Sequence, residues 1–155
     1  MIYLGIDPGA TGQIAVHDGE DYNWQFYPAK PTELQAIIDS APHKRFFAVL
    51  ERLHAFPIGG KVANFELGKH YGEMKGALEA LGIPFIEVPP MTWKKTILVG
   101  VNWKEDKMAT VRYVQNRLPQ VNLLLTERCR KPDHNRADAV CLALYGMEKN
   151  KGAVA

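Results

Sequence analysis

IYLGIDPGATGQIAVHD, residues 2–18, decides the fold. Its first six residues are rich in β-formers and run into Asp7-Pro8-Gly9, a strand ending in a tight turn. Residues 12–18 (GQIAVHD) read as a second strand, and a polar turn around Gly19 and Asp21 leads to a third, 22–28 (YNWQFYP). That is an antiparallel meander. Beyond it helices and strands alternate: a helix from Pro31 to Ser40, an apolar strand 45–51 (RFFAVLE), a long helix 62–81 closed by Gly82, and a strand 83–88 (IPFIEV). After Pro89-Pro90 come a short helix near 91–98, a helix from Lys104 to Leu118, and a last helix from Asp133 to Tyr145 whose stripe is Ala137, Val140, Cys141 and Leu144. The pattern predicts an α/β domain over 1–147, a mixed five-stranded sheet (a three-stranded meander plus two further strands) flanked by helices, with 148–155 as a flexible tail.

The 155 residues are 46% hydrophobic, enough for one core. No apolar stretch approaches the roughly 18 residues that cross a bilayer, and MIYLGIDPG lacks a signal peptide's basic start, so a soluble cytoplasmic protein with no membrane partner is expected. Cys129 and Cys141 make neither a disulfide framework nor a zinc set. Nineteen Lys and Arg against 17 Asp and Glu leave a net charge of only +2. From Lys94 onward, however, basic residues crowd the chain (Lys95, Lys104, Lys107, Arg112, Arg117, Arg128, Arg130, Lys131, Arg136), a pointer to nucleic acid that solvated helix faces explain equally well.

Three carboxylates stand where chemistry is expected. Asp7 ends the first strand beside a glycine-lined turn, Glu51 ends an apolar strand, and Asp138 interrupts an apolar helical stripe. Singly they read as a turn residue, an exposed strand end and an ion-pair partner. Together they form an oxygen-only set suited to Mg²⁺ or Mn²⁺, and two such ions about 4 Å apart can hydrolyse a phosphodiester. His134, one helical turn before Asp138, is a further ligand or proton carrier. Asp133 points elsewhere round the helix unless it caps it, and Asn135 is a poor ligand by charge.

GIDPGATG (5–12), VLERLHAFP (49–57), VPPMTWKKTILVG (88–100), WKEDKMATVRYVQNRLP (103–119) and DHNRADAVCLALYG (133–146) together resemble the RuvC-like Holliday junction resolvases, phage members more than the bacterial housekeeping enzyme. The resemblance implies an RNase H-like fold, a homodimer in the host cytoplasm, and Mg²⁺-dependent two-metal nicking of opposed strands at a four-way DNA junction. It matches Asp7, Glu51 and Asp138 to the family's acidic positions. A fourth falls on Asn135, leaving His134 or Asp133 to substitute, with His134 favoured by geometry.

Under the same resemblance Lys94 and Lys95, with Lys104 and Lys107 opening the next helix, grip the DNA backbone, the helix's first amides helping to hold a phosphate. In the loop HAFPIGGK (54–61), Phe56 is a candidate wedge on unpaired bases, or equally a loop anchor, and Lys61 a further DNA contact. Gly68, Gly72 and Gly76, spaced every four residues, suit a twofold helix contact or close packing inside one subunit. Rival readings are an RNase H acting on RNA–DNA hybrids, a catalytically inactive junction binder, and an actin-like ATPase from DPGATG (7–12). The last needs a second lobe, for which the chain is too short, so no nucleotide cofactor is expected.

Overall fold

The computed structural model describes residues 1–19, 23–53 and 60–153. Strands β1 (Ile2–Asp7), β2 (Gln13–His17), β3 (Trp24–Pro28), β4 (Phe46–Glu51) and β5 (Phe85–Val88) form one sheet in the order β3-β2-β1-β4-β5. The meander β1-β2-β3 is antiparallel, while β4 and β5 run parallel to β1. Helices are α1 (Pro31–Ser40), α2 (Lys61–Ala80), α3 (Pro90–Ile97), α4 (Ala109–Arg117) and α5 (His134–Ala153). This is the expected mixed α/β sheet.

Strand alternation assigns the two faces. Ile2, Leu4 and Ile6 of β1, with Ala48 and Leu50 of β4, enter one core beneath α1 and α2. Val49 enters the other, under α3, α4 and α5. By the same alternation Gly5, Asp7 and Glu51 belong to the α5 face. Gly5 is what lets α5 lie so close: an added Cβ there would fall inside the backbone of Ala139 and Ala143. Parallel pairing of Ile6 with Leu50 then carries the ends of β1 and β4 to one edge of the sheet.

Of the element boundaries that differ from expectation, three bear on the site or the tail. α4 starts at Ala109, not Lys104, because the Asp106 carboxylate accepts the Met108 N–H at 2.9 Å and turns the chain first. Lys104 and Lys107 therefore precede the helix and do not open it. α5 begins one residue after Asp133, whose carboxylate accepts the Arg136 N–H at 2.8 Å as an N-cap. It also runs to Ala153, through most of the stretch read as a tail, and Asn150 Nδ2 donates to the Tyr3 hydroxyl at 3.1 Å, tying its last turns to β1.

α2 packs by its second half, where Met74 and Leu78 are buried. Near its start Val62 and Phe65 are 77% and 70% exposed. A Cβ at Gly68, Gly72 or Gly76 would meet nothing within 4 Å among the described residues of the subunit.

Candidate metal centre

Asp7, Glu51 and Asp138 converge. Each offers a carboxylate oxygen within 4.8 Å of the others, and they are the set among the described residues with metal-holding geometry. β1 and β4 deliver Asp7 and Glu51 side by side, and α5 lowers Asp138 onto them over Gly5. Glu51 is only 6% exposed, and Asp138 Oδ1 is buried without a hydrogen-bond partner.

Burial and mutual repulsion raise all three acids. Asp7 is held well above the carboxylate range, first by burial and then by the charges of Glu51 and Asp138. Glu51 is pushed up to about 7, mainly by burial and next by Asp138. Burial likewise raises Asp138, against a hydrogen bond from Thr110 and the charges of Lys94 and His134. Lys94 opposes the shift at every one of the three, and its Nζ lies 4.0 Å from Asp138 Oδ2 and 5.1 Å from the Trp93 ring centroid. The Trp93 indole N–H is buried without a hydrogen bond of normal geometry, yet it is near enough to Glu51 to favour the charged carboxylate. One ammonium beside three carboxylates, with an unpartnered buried oxygen, fits a hard divalent cation held by Asp7, Glu51 and Asp138.

The remaining expected residues sort themselves around this centre. His134 lies outside the converging group. It is exposed and lines a cavity shared with Asp138. Asp133 is occupied as the helix cap. Asn135 turns to the β1–β2 connection, donating to Thr11 O at 2.9 Å and Thr11 Oγ1 at 3.0 Å. Lys94, Lys104 and Lys107 border the same cavity, whereas Lys61 and Lys95 are exposed away from it. Phe56 lies outside the described residues.

Arg136, counted among the basic residues, is a clamp. Its guanidinium donates to the Leu124 carbonyl, reaches the Asn122 and Leu125 carbonyls at 3.4 Å, and sits 4.8 Å from the Phe26 ring centroid. Trp93 and Thr110 were not anticipated at the site. The one cue for Thr110 was a hydroxyl within the buried run Ala109–Val111, where a polar atom needs a partner.

No family model matches the chain, and no curated protein matches it. Solved structures do. Thermus thermophilus RuvC superposes with a TM-score of 0.64 over 99% of this chain and 97% of that one at 20% identity. T. thermophilus RuvC in complex with a Holliday junction substrate gives a TM-score of 0.59 over 97% and 95%, at 17% identity. The chain therefore has the RNase H-like fold of RuvC.

Proposed function

We propose that this chain is a Mg²⁺-dependent endonuclease, with Mn²⁺ as a substitute, that resolves four-way DNA junctions as a homodimer. The observation that carries the reading is the meeting of Asp7, Glu51 and Asp138 within 4.8 Å on this fold. The likeness to a protein solved with a Holliday junction supports the substrate class.

Asp7, Glu51 and Asp138 would hold the cations. When bound, a pair of divalent ions activates water and offsets the charge that develops on a phosphodiester. Lys94 partly neutralises the carboxylates and, with Lys104 and Lys107 at the cavity rim, draws in the phosphate backbone without reading sequence. Trp93 and Thr110 act against the raised pKa values of Glu51 and Asp138, favouring the charged forms that a cation needs. His134, exposed to the cavity one turn before Asp138, carries the proton between the attacking water and the leaving oxygen. One subunit has one such site, so symmetric resolution requires a second copy. The exposed Val62 and Phe65 and the open glycine face of α2 support that contact.

The deciding experiment compares nicking of a synthetic four-way junction with nicking of an RNA–DNA hybrid duplex in Mg²⁺. Paired, symmetric nicks confined to the junction are expected. Preference for the hybrid would replace the reading with an RNase H, and binding without nicking would leave a junction-binding module.

A further inference from the structure

Asp138 of the carboxylate centre lines a cavity of about 510 Å³. That volume lies within the roughly 300–1,000 Å³ of small-ligand sites. Asp138 is the wall residue shared with the metal centre, His134 lines the cavity beside it, and Trp103, Met108 and Leu98 supply an apolar wall. A surface that only grips phosphates needs positive charge and no apolar wall. Trp103 is also anchored: its side chain packs against the core beneath α5, and its backbone N–H donates to the Val101 carbonyl at 2.9 Å. The Lys104 ammonium sits 5.8 Å from its ring centroid, so a phosphate drawn to Lys104 brings the attached base within reach of the indole. Such a combination of aromatic face, thioether and cation is that of sites that take up an unstacked base.

We propose that this cavity is a nucleobase subsite, in which the base beside the scissile phosphate leaves its stack and lies against Trp103 and Met108. The proposal rests on the nuclease reading and adds to it a cause of structure selectivity. Withdrawing a base from continuous duplex costs a few kcal/mol, and the cost is least where pairing is already interrupted. A crossover therefore fills the cavity more readily than a plain duplex.

The test is a cycle combining DNA and protein changes. Junctions carrying an abasic residue at each nucleotide flanking the crossover are titrated with the full chain, and affinity is read by fluorescence anisotropy in EDTA. At one flanking position the abasic junction should bind the parent protein on the order of tenfold more weakly, the size of one base–aromatic stack. Trp103→Ala should lose the same factor on the intact junction and nothing more on the abasic one, with Trp103→Phe restoring most of it. Losses that multiply, or no abasic position that matters to the parent, overturn the subsite while leaving the nuclease reading intact. Failure of the parent to bind any junction overturns both. The parent on abasic DNA decides the matter even where Trp103→Ala does not fold.

Discussion

Lys94 Nζ stands 4.0 Å from Asp138 Oδ2, and the same ammonium lowers the pKa of Asp7 and Glu51. The Lys94 ammonium is thus outnumbered by the three carboxylates whose pKa values it lowers, and without metal their burial and mutual repulsion favour the protonated forms.

Stability without metal should fall as pH rises. Each acid has a folded pKa above its ordinary value, so the folded chain binds protons that the unfolded chain has released, and folding is favoured on the acid side. For Glu51, raised from 4.5 to about 7, the loss across that window is on the order of 3 kcal/mol. Melting followed by circular dichroism in EDTA should give a lower Tm at pH 8 than at pH 5.5. Mn²⁺ should restore the difference at pH 8, and Glu51→Gln should flatten it. A Tm that rises between those pH values would contradict the assignment.

Asp7→Asn should lower the nicking rate by a factor of about 10²–10³ or more, as when one preorganised charged group leaves an active site. Junction affinity should stay close to the parent's, because the variant keeps every rim lysine. Parallel nicking and gel-shift titrations separate these effects, and joint loss of both would remove Asp7 from the metal centre.

Lys94 and Lys104 should differ in kind. Lys104→Ala removes a rim cation and should reduce the slope of log affinity against log salt by about 0.9 per lost phosphate contact. Lys94→Ala should do the same and also move the acid limb of the nicking profile to higher pH, because Lys94 lowers all three carboxyl pKa values. Identical pH profiles for the two variants would confine Lys94 to DNA contact.

Gly72→Ala should affect folding and self-association in opposite senses. A Cβ at Gly72 meets nothing within 4 Å among the described residues of the subunit, so α2 should gain roughly 0.5–1 kcal/mol of helix stability. A partner helix resting on that face would be pushed away, and sedimentation should show weaker dimerisation. Unchanged self-association would move the interface off this face of α2.

Gly5→Ala should be severe, costing about 3 kcal/mol or more, since the new methyl would strike α5 backbone and not a yielding side chain. Metal affinity should fall even where the variant folds, because Asp138 rides on the displaced helix.

Much of this architecture was legible because strand and helix periods are local properties. Asp7, Glu51 and Asp138 stood out for the same reason: two terminate apolar strands, and the third interrupts an apolar helical stripe at a cost that demands a partner. What escaped reading depends on contacts distant in sequence or on competing local bonds. Trp93 and Thr110 reach Glu51 and Asp138 only through the packing of α3 and α4 against the sheet. The start of α4 was misplaced because the Asp106 side chain captures a backbone amide that would otherwise begin a helix. The end of α5 was misplaced because its polar last turns resemble a solvated tail, while Asn150 is anchored by Tyr3 at the opposite end of the chain.

The parallel alignment of Ile6 with Leu50 carries a liability as well as an address. A slip of one position between these two strands would exchange the faces of every β4 side chain, sending Glu51 to the layer beneath α1 and α2. Such a chain could keep its helix and strand content and still be inert, so a spectrum alone does not certify a correctly folded preparation. On the proposed reading, cation uptake should, because it would report whether neighbouring strands were zipped in the right frame.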